Sequence, residues 1–302
     1  MIRMRHAIAL LAVVGTLAAC GGGSGDPLGG SGAKKGTVVV GSANFPENVL
    51  LGEIYAQALE GSGAKVDRKF NIGSREVIFN QIKKGGLTVL PEYNGALLAY
   101  LDKNATAEDT AAVNAEVAKK LPSSLELLTS SKAEDKDSVT VTKATADKYR
   151  LKTLEDLAPV AKNFVLGGPS EFETRKHGVV GLQSEYGMEF KSFKSLDTAG
   201  PITVAALKKG DIQAANLFST DPAIKANSFV ALEDPKNLFG AQNVTPLVYK
   251  SGVDDAGRKA LDSVSSKLDT ETLATLVKRL VVDKVDASTL AKEWLSSAGI
   301  AS

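Results

Sequence analysis

Residues 37–61 read TVVVGSANFPENVLLGEIYAQALEG, and the fold follows from how that run is punctuated. Thr37–Gly41 is a short β-branched stretch, the pattern of a buried strand. Residues 42–45 make a turn, and Pro46 sits where the first turn of a helix tolerates it. Val49, Leu50, Ile54, Tyr55, Ala58 and Leu59 then recur at helical spacing up to Gly61. The alternation continues downstream. Residues 65–70 read as a strand, and Ser74 opens a helix through Val77, Ile78 and Ile82 that Gly85-Gly86 stops. Residues 87–90 form a third strand, broken by Pro91. A helix from Thr106 carries Ala111, Val113 and Val117, and residues 125–128 are again strand. Strands alternating with helices predict an α/β protein with a mainly parallel sheet and helices on both faces.

The pattern restarts at Ser138. Strands are expected at 138–142, 164–166, 190–193, 212–218, 229–232 and 246–249. Helices are expected at 144–149, 154–160, 179–186, 201–208 and 221–225. Residues 254–297 give three amphipathic helices, the middle one marked by Leu273, Leu276, Val277 and Leu280. Strand-poor terminal helices pack back on a lobe already made. The expected organisation is therefore a discontinuous lobe, 37–136 with 244–302, and a second lobe, 137–243. Two open sheets facing each other enclose a cleft at the carboxyl ends of their strands.

Composition narrows the function. The 302 residues carry 36 Lys+Arg against 35 Asp+Glu, a net charge of +1, which argues against a nucleic-acid binder. Two histidines and one cysteine leave no His-rich or Cys-rich metal site and no internal disulfide. That single cysteine is informative by its place. Arg3, Arg5 and His6 precede an apolar run too short to span a bilayer but of signal-peptide length, closed by Leu17-Ala18-Ala19-Cys20. Residues 1–19 read as a signal peptide and Cys20 as the lipidated residue of a bacterial lipoprotein. The alternative is an ordinary secretory signal. Residues 20–36 then form a Gly/Ser-rich tether.

Four segments, in order, carry a resemblance: VGSANFPE (40–47), VLPEYNG (89–95), GDIQAANLFSTD (210–221) and VALEDP (230–235). Together they resemble the OpuAC-like substrate-binding proteins of ABC transporters for glycine betaine, carnitine and choline, over about residues 37–300. The resemblance implies a two-lobed periplasmic-binding-protein fold of type II, with two crossovers and a ligand cleft between lobes. It implies tyrosines around a quaternary ammonium, held by cation–π attraction, and basic residues on the carboxylate. Tyr93 matches a box tyrosine, Phe218 another aromatic position, and Arg175 the carboxylate arginine. Asp135 lies near an acidic position, and Asn44, Asn94 and Thr220 belong to the matching motifs. Three positions depart from the pattern. Ala43 stands where lysine is common, and Asp137 and Gln242 stand where tyrosines are common. Two rings in place of four suit a more polar ligand at least as well as a betaine.

Without the resemblance, Tyr93 equally fits a half-buried packing residue, and Arg175 a solvated loop cation. Asp135 and Asp137, among Lys132, Glu134 and Lys136, equally fit a charged crossover. No nucleophile elbow or phosphate loop supports an enzyme. The expectation is a monomeric receptor without cofactor or metal, lipid-anchored outside the cell membrane. It would deliver a small solute to a permease driven by a separate ATPase, with a solute sensor as the alternative.

Overall fold

The computed structural model describes residues 36–302; the expected signal peptide, Cys20 and nearly all of the tether lie outside the described residues. The first half builds β1 (Thr37–Gly41), α1 (Pro46–Gly61), β2 (Lys65–Lys69), α2 (Arg75–Lys83), β3 (Val89–Tyr93), α3 (Asn94–Leu101), α4 (Thr110–Lys120) and β4 (Leu125–Leu127). Next come β5 (Asp137–Thr142), α5 (Lys143–Tyr149), α6 (Leu154–Leu157), β6 (Val165–Gly168), α7 (Val179–Tyr186), β7 (Ser192–Ser195), α8 (Pro201–Lys209), β8 (Ala214–Phe218), α9 (Pro222–Ala226) and β9 (Phe229–Ala231). The chain ends with β10 (Val244–Tyr249), α10 (Asp255–Lys267), α11 (Thr270–Val281) and α12 (Ala287–Ser297).

These strands form two five-stranded sheets, ordered β2-β1-β3-β10-β4 and β7-β6-β8-β5-β9. The central strands of each sheet are buried on both faces, while the edge strands β2 and β7 are mostly exposed. In the first, Val38 and Val40 pack with α1 and the C-terminal helices, while Val39 packs with α2 and α4. In the second, Val139 and Val141 face one core, and Ala215 and Leu217 face the other. The chain leaves the first sheet after Leu127, enters the second at Asp137 and returns between Ala231 and Val244. The two crossovers pair with each other: Ser131 N donates to Val244 O at 2.9 Å, Val244 N to Ala133 O at 2.9 Å and Asp135 N to Gln242 O at 3.2 Å. They make a short antiparallel strap between the lobes.

Four readings are corrected. The sheets are mixed, each with two parallel and two antiparallel pairings, because β10 and β5 enter from the crossovers in the reverse direction. Pro91 does not end β3. It lies opposite Pro246 of β10, and on its other side β1 reaches only as far as Val89, so the missing N–H leaves no ladder bond broken. Finally, α3 was not legible, because NGALLAYL follows the strand without a gap and is apolar nearly all round, which erases the helical period. The helix expected from Thr106 starts at Thr110 instead, where the Asp109 side chain accepts from Ala112 N at 2.9 Å.

Candidate functional site

The strap and the strand ends bring separate sequence segments to one place. β3 ends on Tyr93, β8 ends on Phe218, and Asp137 at the start of β5 lies directly opposite Phe218 in register. Together with the loop after β1, they enclose a cleft of about 50 Å³ between the two sheets. Of the residues expected there, Ala43, Asn44, Tyr93, Asp135, Asp137, Arg175, Phe218 and Gln242 line it.

Asn94 does not. Its side-chain oxygen accepts from Gly95 N and Asn243 N, each at 2.8 Å, and its amide donates to Asn114, so its polar atoms tie the start of α3 to the strap and to α4. Gly95 beside it has no room for a side chain, since the carbonyl oxygen of Ala241 occupies the space a Cβ would take. The motif around residues 91–95 is thus half cleft wall and half a tie to the strap.

Beside the cleft, and reaching it through Tyr93 and Asp135, lies an acidic cluster built on Glu47, which sequence reasoning passed over. Glu47 lies in the first turn of α1 and is 3% exposed. It accepts from the Tyr93 hydroxyl at 2.7 Å and from Thr220 Oγ1 at 2.6 Å. Asp135, 2% exposed, accepts from Thr220 N at 3.0 Å and lies 2.9 Å from the same Thr220 Oγ1. A hydroxyl has one proton to give. With carboxyl oxygens on both sides of Thr220 Oγ1, one of the two acids must itself be the donor. The pair therefore holds a proton, and burial raises both groups above the usual carboxylate range, Asp135 well above it. Thr220 does not line the central cleft; it joins Glu47 of the first lobe to Asp135 at the strap.

Asp137 accepts from Asn216 Nδ2 at 2.9 Å. Burial raises it too, against the pull of Asn216, Arg175, Arg75 and Gln242. Gln242 is 2% exposed and donates to Phe239 O at 3.1 Å. Neither is a solvated loop residue.

Two guanidinium groups face the cleft. Arg175 is the expected one. Its Nε and Nη2 meet the two oxygens of Glu76 at 3.0 and 2.9 Å, a fork-to-fork pair that crosses from one lobe to the other. Burial pushes Glu76 up, but hydrogen bonds from Arg175 and Ser74 and the Arg175 charge more than reverse this and hold it at about 2. Arg75, the first residue of α2, drew no reading from the sequence, where Ser74 opens the helix. It lines the cleft and grips Glu92 at 2.9–3.0 Å. Among the described residues neither arginine spends its Nη1 on a hydrogen bond.

The rings number three rather than two. Phe45 stacks on Tyr93, with centroids 6.1 Å apart, and tilts against Phe218 at 5.1 Å. It sits just before Pro46 in the quoted motif, and an aromatic at that N-terminal helix position was the available signal. Among the described residues no group of three or more His, Cys, Asp or Glu side chains is placed to hold a metal ion.

Comparison with known proteins places this cleft in a family. Residues 36–297 match the OpuAC family, described as the substrate-binding domain of ABC-type glycine betaine transport systems. The glycine betaine-binding protein YehZ of Escherichia coli K12 is 30% identical over 277 residues, 87% of this chain and 90% of that one. The ergothioneine transport permease/ergothioneine binding protein EgtU of Helicobacter pylori is 27% identical over 269 residues, and the match spans 48% of its length. Among solved structures, apo YehZ from Escherichia coli aligns with a TM-score of 0.60 at 28% identity, over 87% of this chain and 99% of that one. A glycine betaine/carnitine/choline ABC transporter structure aligns with a TM-score of 0.68 at 22% identity, over 87% and 99% of the two chains, which carries the two-lobed type II architecture. Two mixed sheets joined by a paired strap, with a polar and aromatic cleft between them, therefore belong to a member of the OpuAC family of ABC-transporter substrate-binding domains.

Proposed function

We propose that this chain is the extracytoplasmic solute receptor of an ABC importer and that its solute is a betaine, a quaternary ammonium carrying a carboxylate. The observation that carries this reading is one cleft lined by Phe45, Tyr93 and Phe218 and also by Arg75 and Arg175. Rings attract a cation that has no N–H to donate, and guanidinium groups match a carboxylate. The third ring moves the balance towards a betaine and away from the neutral polar solute that two rings alone suggest. Asp137, raised by burial, and Gln242 would lie beside the ligand carboxylate, to which a protonated Asp137 and the second N–H of Gln242 can donate.

Binding requires contributions from both lobes, so the solute stabilises their closed arrangement. The closed form would present both lobes to a permease whose ATPase is a separate chain. The protein would act as a monomer and perform no chemistry on the solute. Cys20 would anchor it, with residues 21–36 as a tether, and Cys20→Ala should move the protein from the membrane to the soluble fraction.

Calorimetric titration with glycine betaine and choline tests the ligand. Glycine betaine should bind in the nanomolar-to-micromolar range, and choline, lacking the carboxylate, about tenfold or more weaker. Phe45→Ala should cost roughly 0.5–2 kcal/mol of glycine betaine affinity. Absence of heat or thermal shift with every betaine tried would refute the reading.

A further inference from the structure

The two cleft arginines are gripped along the same edge. Arg75 gives Nε and Nη2 to Glu92, and Arg175 gives the same two nitrogens to Glu76, all at 2.9–3.0 Å. A two-point grip of this kind fixes both the plane and the rotation of a guanidinium. Among the described residues, Nη1 of each arginine makes no hydrogen bond, so the outer edge of each fork stays unspent.

The pairs differ in where the acid comes from. Arg75 of α2 and Glu92 of β3 share the first lobe, so their pair does not depend on closure. Arg175 lies between β6 and α7 in the second lobe, whereas Glu76 lies in the first turn of α2. The acid of its own lobe, Glu171, stands 3.9 Å from Arg175 Nη2, too far for a hydrogen bond. Among the described residues, only Glu76 hydrogen-bonds the Arg175 fork, and it does so across the lobe gap. Arg175 lines the ligand cleft but Glu76 does not. Glu76 lines an adjoining space of about 210 Å³ that has both arginines in its wall. The cleft meets the guanidinium rather than the carboxylate that holds it.

We infer that Glu76 is a positioning residue for the ligand carboxylate: it locks Arg175 from the opposite lobe, so the second guanidinium is oriented only on closure. This rests on the betaine reading above. Phe45, Tyr93 and Arg75 stand on the first lobe, and Phe218 and Arg175 on the second. A betaine then loads on the first lobe, and the fork from the second is set last. Choline has no carboxylate and makes no use of that fork.

Calorimetry with glycine betaine and choline on the wild type and on Glu76→Gln tests this. Glutamine keeps the length but replaces one acceptor oxygen by a donor, which ends the two-point grip. Choline affinity should fall by no more than about fivefold, the upper end for a solvent-screened ion pair. Glycine betaine should lose about tenfold beyond that, the scale of one charge-assisted hydrogen bond. In an Arg175→Lys background, where there is no planar fork to orient, Glu76→Gln should cause no such extra loss. Should choline bind too weakly to titrate, this second comparison decides alone. Equal losses for both ligands, or an extra loss that persists with lysine at position 175, would make Glu76 a plain link between lobes and overturn the inference. A gain in glycine betaine affinity would make it a competitor for Arg175 and also overturn it. These outcomes spare the betaine reading, whereas no binding of either ligand to the wild type overturns both.

Discussion

The Glu47 contact beside the cleft and the Arg175 contact at its wall are both carboxylate contacts between lobes, yet they are built on opposite electrostatics. At Glu47 the acids are buried, no cation is bonded to them, and the contact closes through a shared proton at Thr220. At Arg175 the acid is Glu76, 39% exposed, fully ionised and matched by a guanidinium. A group raised in the closed form contributes below the ordinary carboxylate range and loses that contribution as pH rises through its raised value. A group held low contributes above the ordinary range and loses it as pH falls towards about 2. One link therefore weakens as pH rises above the ordinary carboxylate range and the other as pH falls below it. Burial pushes the acids up at both links, and the presence or absence of a cation sets the sign.

The largest effect should come from a pair that lies wholly inside the first lobe and calibrates the other two. Glu92 is 2% exposed and is held by Arg75. Arg75→Ala leaves it buried and uncompensated, and urea denaturation should show a loss of about 3–5 kcal/mol. A loss under 1 kcal/mol would mean that water reaches Glu92 and that burial is not what separates the links.

An intermediate effect is expected at Thr220. Thr220→Val keeps the shape and removes the hydroxyl that both acids use, costing roughly 1–3 kcal/mol of closure, read as weaker solute binding and a larger radius of gyration by X-ray scattering. In the wild type the closed population should fall as pH rises above the ordinary carboxylate range, and Asp135→Asn, which needs no shared proton, should flatten that profile. A profile that is the same in both proteins would remove the proton from the account.

The smallest effect belongs to Glu76. A pair exposed to this degree is screened by solvent, so Glu76→Gln should change closure by about 0.2–1 kcal/mol, less at high salt. A salt-independent cost above 2 kcal/mol would show the Arg175 link to be as dry as the Glu47 one.

Much of the site was written in short motifs. Tyr93, Phe218 and Asp137 were picked out by the family resemblance alone, and the structure puts each at a strand end that faces the cleft. Glu47 and Phe45 stood in the same quoted segment and were missed. An acid in the first turn of a helix reads as a partner for the helix dipole, and an aromatic before a helix-starting proline reads as packing. Arg75 was hidden the same way behind Ser74. Asn94 was read as a ligand contact because its motif resembles one, whereas its amide is consumed within 3 Å by the strap.

Local chemistry alone determined that residues 37–41 extend and residues 46–61 coil, that the pattern restarts near Ser138, and that three helices close the chain. Those features depend on side-chain period, proline and glycine, which act over a few residues. Only the tertiary structure decided that β5 and β10 run against their neighbours, that Arg175 faces Glu76 rather than water, and that Glu47 and Asp135 meet at one hydroxyl. Residues 47, 135 and 220 are separated by 88 and 85 positions, and a protonation state depends on which charges stand within a few ångströms, which no local pattern encodes.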